Sequence, residues 1–155
     1  MYVGRPTGVE TEPDPRKCYS LRRIQLMTQQ GLFSFAVELL EPNSLLNPGD
    51  ELQQSQVIGF VGIASPPEIF YIFDDHYWGK GLATEALTAF LKSYWSTFPD
   101  GNGPAGNVLE AHIVSGNIGS SRVVSKCGFV HVREEVEHED GKETKIEIYQ
   151  LKKGD

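Results

Sequence analysis

The sequence predicts a mixed α/β domain whose central sheet is mostly antiparallel and carries helices on both faces. Strand-like segments alternate with a few helical segments, and hairpins are expected at both ends of the recognisable region. The chain has 155 residues, of which 39% are hydrophobic, so it can bury the core of one domain. We therefore expect a single domain over 1–155, with its clearest part at 33–151.

The N-terminal region gives the weakest signals. Residues 1–20 carry glycines and prolines among polar residues, without a helix or strand period, and are predicted to be irregular. Residues 21–30 are predicted to form a short helix, because Leu21, Ile24 and Met27 share one helical face and Gly31 is a stop signal.

The later elements follow in order, separated by turn-forming residues. Period-two alternation and short apolar runs predict strands at 33–40, 57–64, 68–73, 108–114, 129–136 and 144–151, and helical spacing predicts helices at 82–97 and 118–127. Asp140 and Gly141 are typical of a tight hairpin turn whose residues adopt positive φ.

Charge and cysteine content limit the class of protein. A net charge of −7 argues against non-specific binding to nucleic acid, and no run of about 18 apolar residues is present to cross a membrane. Cys18 and Cys127 lie in dissimilar contexts, which favours a reducing compartment and a cytoplasmic location. A crowded acidic run is predicted to be a solvated hairpin tip; it comprises Glu134, Glu135, Glu137, Glu139 and Asp140.

The segment from Trp78 to Leu87 carries the strongest chemical signal. Gly79 and Gly81 stand directly after a predicted strand and directly before a predicted helix. Glycine lets the backbone approach an anion closely, the first amides of a helix lack intrahelical acceptors, and the helix dipole favours negative charge at that end. This arrangement predicts a phosphate-binding loop.

A second segment, 117–129, raises the specificity of the signal. It begins with Asn-x-x-Ser at the start of a predicted helix and ends in Lys-x-Gly-Phe. Together the two segments resemble the GNAT superfamily of acyl-CoA N-acyltransferases. Trp78, Gly81 and Ala83 take the places of that family's Arg/Gln-x-x-Gly-x-Gly/Ala loop. The chain is similar in particular to the Rim-type ribosomal-protein N-acetyltransferases, over about 34–151.

This resemblance implies acetyl-CoA as co-substrate, with its pyrophosphate on the backbone amides of 79–84 and Lys80 adding positive charge. The backbone of Phe73 would pair with the pantetheine arm, whereas Trp78 would cover the loop. Asn117 would hold the pantetheine or only cap its helix. The residues implied to bind the donor are Phe73, Trp78, Gly79, Lys80, Gly81, Leu82, Ala83, Thr84, Asn117 and Ser120.

The resemblance also implies the catalytic groups. Glu68 matches a glutamate near the acceptor cleft and is predicted to be the base, and Ser120 is predicted to protonate the leaving thiolate or to permit close packing of CoA. Many relatives carry a tyrosine that acts as the general acid where this chain has Val124. Alternation along the strand at 108–114 places Glu110 and His112 on one face, so either residue is an alternative base.

No metal is predicted, because His76, His131 and the two cysteines have no partners at ligand spacing. Cys127 is interpreted as a buried thiol and not as a nucleophile. The family's opening strand and helix have no counterpart in the sequence, so the chain is expected to be N-terminally shortened.

The expected reaction is therefore acetyl transfer from acetyl-CoA to a primary amine of a small molecule or a protein, by direct attack. A CoA-binding protein that has lost turnover is the alternative, since the first elements and the acidic tyrosine are missing. A homodimer is an open expectation, because a shortened domain would leave a sheet edge uncovered.

Overall fold

A seven-stranded sheet forms the centre of the protein. The computed structural model describes residues 21–27, 33–39 and 56–154, the first of these ranges as backbone only. The strands are β1 (Leu21–Met27), β2 (Phe33–Leu39), β3 (Gln56–Ser65), β4 (Glu68–Phe73), β5 (Val108–Val114), β6 (Val130–Glu139) and β7 (Lys142–Lys152). The helices are α1 (Leu82–Thr97) and α2 (Ile118–Lys126), and a short 3-10 turn covers Asp75–Tyr77.

The strand order is β1-β2-β3-β4-β5-β7-β6, and one pair, β4 with β5, is parallel. Strands β1 to β4 form an antiparallel meander, and β7 lies between β5 and β6. The β6–β7 hairpin turns at Asp140 and Gly141, whose φ angles are 50° and 76°. Both values lie in the left-handed region, as the sequence predicted for this turn.

The hydrophobic core joins both described helices to the sheet. Leu87, Phe90 and Tyr94 recur at helical spacing along one face of α1 and are buried, and their neighbours on β2 are Phe33 and Phe35. The Phe33 ring packs 5.6 Å from the Tyr94 ring, measured between centroids. Helix α2 contacts α1 and joins the same core.

The predicted mixed α/β class with a mostly antiparallel central sheet is confirmed, with helix α1 and strands β4 and β5 at the predicted residues and both described helices packed into one core. The helix predicted at 21–30 is wrong, because residues 21–27 form strand β1. Its seven residues pair antiparallel with β2, from Leu21 opposite Leu39 to Met27 opposite Phe33. Apolar residues at positions 21, 24, 26 and 27 fit both the helical period and the strand period over so short a segment. The edge of β2 supplies backbone hydrogen-bond partners, and these favour the strand.

The irregular segment predicted at 1–20 lies outside the described residues. Among the residues that the structure describes, no helix is both long enough and apolar enough to cross a membrane.

Candidate active site

The site begins where the two parallel strands separate. Within the described residues, β4 and β5 are aligned at a single pair, Glu68 and Glu110. There the Glu110 amide donates to the carbonyl of Pro67 at 2.9 Å. Because no further register partners follow, a wedge opens between the strands toward their C-terminal ends.

Backbone groups of β4 face this wedge. The Asp74 amide donates to the Ile58 carbonyl on β3 at 2.9 Å. Successive residues of a strand direct their N–H and C=O groups to opposite edges of the strand. Because Asp74 faces β3, the backbone groups of Phe73 and Tyr71 point away from β3. They therefore line the opening between β4 and β5, where an extended ligand would find hydrogen-bond partners.

The chain then enters α1 through the glycine loop. Gly79 and Gly81 have φ angles of 72° and 79°, and a Cβ on either would meet no atom within 4 Å. No side chain caps α1 at Gly81. The first intrahelical bond runs from the Glu85 amide to the Gly81 carbonyl at 3.0 Å, so the amides of 82–84 precede it and are available to a ligand. Open space, free amides and the dipole of a 16-residue helix are features that suit anion binding at this end of α1, and anion binding itself stays a prediction.

Aromatic side chains brace the loop. The indole Nε1 of Trp78 donates to the Phe73 carbonyl at 2.9 Å, which ties the loop to the end of β4. The Lys80 ammonium lies 5.4 Å from the centroid of the Tyr77 ring, a cation–π distance that holds positive charge at the loop. The Phe73 amide remains available in the wedge, but its carbonyl is already bonded.

Helix α2 closes the other side of the wedge. The side chain of Asn117 caps it, with Oδ1 accepting from the Ser120 amide at 3.2 Å. Ser120 is buried, and its backbone carbonyl accepts from the Tyr71 hydroxyl at 3.1 Å. A cavity of about 10 Å³, room for a single water, lies beside Tyr71, His112, Asn117 and Ser120. Capping is thus the contact that the structure gives Asn117, and its contact with pantetheine stays a prediction.

A polar network lies at the narrow end of the wedge, around the buried carboxylate of Glu110. Gln150 on β7 donates to Glu110 Oε1 at 2.6 Å, and Arg133 on β6 donates to both carboxylate oxygens at 3.2 and 3.4 Å. His112 Nε2 is 3.0 Å from Glu110 Oε2, and His112 Nδ1 is 3.9 Å from Glu68 Oε2. Burial of Glu110 raises its pKa, but the hydrogen bonds from Arg133, His112 and Gln150 outweigh burial and lower the pKa to about 2.

We expect the Glu110→Gln variant to be less stable than the parent at neutral pH, and the difference to shrink in acid. The folded pKa of about 2 lies below the ordinary 4.5, so the ionised carboxylate stabilises the fold fully above pH 4.5, and this contribution is lost as pH falls toward 2. Urea denaturation at pH 7 and pH 3 measures the difference in free energy of unfolding between the parent and the variant. Glu135→Gln, which alters an exposed partner of Arg133, is the control. A difference that stays constant over this range would contradict the assigned network.

The Cys127 thiol packs between the two helices. Its Sγ lies 3.6 Å from the Thr84 carbonyl and 3.6 Å from the Thr88 hydroxyl. Burial raises the pKa of this thiol, which keeps it protonated at neutral pH. The thiol is half-buried, so burial is less complete than the sequence predicted, and its contacts with both helices are those of a packing residue.

One group of potential metal ligands stands beside the loop. His76 Nδ1 is 2.7 Å from Asp74 Oδ1 and 2.9 Å from Asp75 Oδ1, and all three residues are exposed. The hydrogen bond between the side chains of His76 and Asp74 lowers the pKa of Asp74 and raises the pKa of His76. The prediction that His76 has no partners at ligand spacing is wrong, because two carboxylates lie beside it. The absence of a metal stays a prediction, since exposed acidic groups alone do not define a site.

The structure brings the predicted residues to two places. Phe73 and 78–84 form the loop and its approach, while Asn117 and Ser120 stand across the wedge. Glu68 lies apart from both places, opposite Glu110 at the narrow end of the wedge, with its Oε2 atom 3.9 Å from His112 Nδ1. Sequence reasoning missed Tyr71, Arg133 and Gln150. Their contacts join strands far apart in the chain, so no local motif marks them.

The chain was compared with known protein families, curated proteins and solved structures. A family model described as "Acetyltransferase (GNAT) domain" matches residues 3–130. A search of curated proteins found no match.

Solved structures with the same fold include an acetyltransferase of the GNAT family from Bacillus anthracis, with 19% identity and a TM-score of 0.62 over 79% of this chain and 67% of that one. Ribosomal-protein-S5-alanine acetyltransferase from Vibrio fischeri has 19% identity and a TM-score of 0.59 over 81% and 63%. Spermidine N-acetyltransferase from Vibrio cholerae, in complex with CoA and spermine, has 18% identity and a TM-score of 0.59 over 79% and 66%.

The chain thus spans about two thirds of the length of these structures. At such identities the likeness concerns the fold, and it agrees with the Rim-type resemblance of the sequence. The assignment rests on the family model, which matches most of the chain and includes both the glycine loop and α2. This protein belongs to the GNAT family of acetyltransferase domains.

Proposed function

We propose that this protein is an N-acetyltransferase that moves the acetyl group of acetyl-CoA to a primary amine by direct attack. The observation that carries the proposal is the continuity of the glycine loop with the wedge. Free amides at the start of α1 and the free backbone groups of β4 form one path, which suits a ligand with an anionic end and an extended arm.

The donor would bind along this path. Its pyrophosphate would accept hydrogen bonds from the amides of 79–84, with Lys80 adding positive charge nearby. Its arm would pair with the backbone of Tyr71 and Phe73, past Asn117, and so direct the thioester toward the narrow end of the wedge. Trp78 contributes by fixing the loop to β4.

The chemistry requires a neutral amine, a held thioester and a proton for the leaving thiolate. Ser120 is buried at the start of α2 and borders the wedge cavity, which supports its predicted role toward the thiolate. Glu68 supplies negative charge on the acceptor side, which suits a cationic amine. Direct attack is favoured, since the raised pKa of the Cys127 thiol makes it a poor nucleophile.

The alternative is a CoA-binding protein without turnover. Val124, in the place of the family's acidic tyrosine, is fully buried in the core and offers no proton. Ser120 or solvent is then left to protonate the thiolate, and turnover is the measurement that separates the two functions.

The acceptor is proposed to be a primary amine of a small molecule or of a protein. Two solved structures with this fold are named for a spermidine N-acetyltransferase and a ribosomal-protein-S5-alanine acetyltransferase, so the fold serves both classes. The proposal includes a homodimer.

We expect acetyl-CoA and desulfo-CoA to bind with micromolar affinity, and ATP to bind far more weakly. Titration calorimetry measures the three affinities, and thermal shift reports the accompanying stabilisation. An amine panel that includes spermidine, a lysine peptide and an N-terminal alanine peptide then tests acetyl transfer. Binding without product from any amine would favour the alternative, and no CoA binding by the folded protein would contradict both.

A further inference from the structure

The anchor of the polar network is an ionised carboxylate. Glu110 accepts hydrogen bonds from Arg133 on both oxygens and from Gln150 on one of them. A carboxylate held in this way has only acceptor atoms. Any further hydrogen bond to Glu110 must therefore be donated by the partner group.

This condition decides the protonation of His112. Its Nε2 lies 3.0 Å from Glu110 Oε2, so Nε2 must carry the hydrogen that makes the contact. In a neutral imidazole the other nitrogen then has a lone pair. The charge of Glu110 thereby selects the tautomer of His112 in which Nδ1 is unprotonated.

The free nitrogen lies on the side of the ring that faces Glu68. Glu68 Oε2 is 3.9 Å from Nδ1, which exceeds a hydrogen bond but suits electrostatic stabilisation of an imidazolium. His112 is partly exposed, with 26% of its side chain accessible, and it borders the wedge cavity together with Ser120. A small group that enters the site beside Glu68 would therefore meet the Nδ1 side of the ring.

We propose that His112 is the base that takes the proton of the acceptor amine on Nδ1, with Glu110 as its positioning residue. This inference rests on the proposed function. It replaces Glu68 as the proton acceptor and gives Glu68 the task of holding the amine and stabilising the charged ring. Arg133 and Gln150 fix the carboxylate of Glu110 and act only through it.

The proton balance of the reaction is complete. The ammonium R–NH₃⁺ gives one proton to Nδ1, and the freed electron pair of R–NH₂ attacks the thioester carbonyl carbon. The tetrahedral adduct breaks its C–S bond, and the second amine proton passes to the thiolate, either directly or by way of Ser120, whose hydroxyl gives its proton to the thiolate and takes the amine proton in its place. The products are R–NH–CO–CH₃ and CoA–SH, and the imidazolium returns its proton to water.

The tautomer can be measured without turnover. Long-range proton–nitrogen NMR spectra at pH 8 are expected to show His112 protonated on Nε2 with Nδ1 free. In Glu110→Gln the selection should weaken, because the substituted amide can donate as well as accept. A His112 ring protonated on Nδ1 in the parent protein would overturn the proposal.

Kinetics test the role directly. We expect His112→Gln, whose side-chain amide can still donate toward Glu110, to lower kcat about 100-fold near neutral pH without changing acetyl-CoA affinity. The deficit should shrink as pH rises, because a larger share of the amine is then already neutral. The Glu68→Gln variant should lower kcat less than the His112→Gln variant does. The matched control is His138→Gln, an exposed histidine 3.7 Å from the Glu143 carboxylate on the β6–β7 hairpin.

Among the described residues, the charged groups that face His112 are Glu68 from β4 and Glu110 from its own strand, with Arg133 and Gln150 behind Glu110. A His112→Gln enzyme with parental kcat, or with the same fold-loss at every pH, would overturn the base assignment while the acetyltransferase function stands. A parent protein that binds no acetyl-CoA and acetylates no amine would instead overturn the function itself, together with the role of His112.

Discussion

Replacing Gly81 with glutamate is expected to lower acetyl-CoA affinity at least about 100-fold, since several charge-assisted hydrogen bonds would be lost together. A side chain at this position enters the open space in front of the free amides of α1, and its carboxylate would occupy the place proposed for the pyrophosphate. Titration calorimetry with acetyl-CoA measures the effect.

Two further variants separate charge from backbone strain. Gly81→Ala adds only a Cβ at a φ of 79° and should cause a smaller loss of affinity. Gly141→Glu places the same side chain at a φ of 76°, also in open space but on the distant hairpin, and should leave the affinity unchanged. Melting temperatures of all three report the strain separately.

Folded Gly81→Glu protein with parental affinity would show that CoA does not use this end of α1. A loss shared equally by Gly141→Glu would assign the effect to net charge instead. Only a loss confined to Gly81 supports the loop.

The loop could be predicted from the sequence because its determinants are local. Two glycines, a preceding strand and an apolar-periodic helix lie within a few tens of residues, and α1 was predicted with the bounds that the structure has. The cap at Asn117 is equally local, since the side chain bonds an amide three residues later. Steric freedom and helix capping act over short sequence distances, so a pattern reveals them.

The error at β1 has the opposite cause. Residues 21–27 have too few apolar positions for either period to dominate, and their conformation follows from pairing with the edge of β2. Such pairing is a tertiary interaction that propensity cannot weigh.

The network around Glu110 shows the same limit within the site. Alternation placed Glu110 and His112 on one face of β5, but Arg133 and Gln150 come from strands later in the chain. The register between β6 and β7 shifts between His131 and Arg133, so simple alternation on β6 does not identify the side that Arg133 faces. The pairing of β5 with β7 and of β7 with β6 brings Gln150 and Arg133 to Glu110. These contacts, which the sequence does not reveal, are the basis for proposing one tautomer of His112.

Tyr71 is the other residue that the sequence did not single out, and its replacement by alanine is expected to destabilise the protein by about 4 kcal/mol. The ring is buried on β4, and the hydroxyl donates to the Ser120 carbonyl 49 residues later in the chain. Removing it would leave a cavity between β4 and α2 and release the helix that carries Asn117 and Ser120. Urea denaturation with the Tyr71→Ala variant measures the loss.

Tyr71→Phe isolates the hydroxyl and is expected to cost about 1 kcal/mol at pH 7, because only the hydrogen bond is removed. Burial raises the pKa of Tyr71 from 10.0 to about 12. The neutral phenol therefore stabilises the fold fully below pH 10, and that contribution is lost as pH rises toward 12. The difference between parent and Tyr71→Phe should narrow over this range. A phenol with so high a pKa is also a weak proton donor, so Tyr71 positions α2 and does not replace the acidic tyrosine that Val124 displaces.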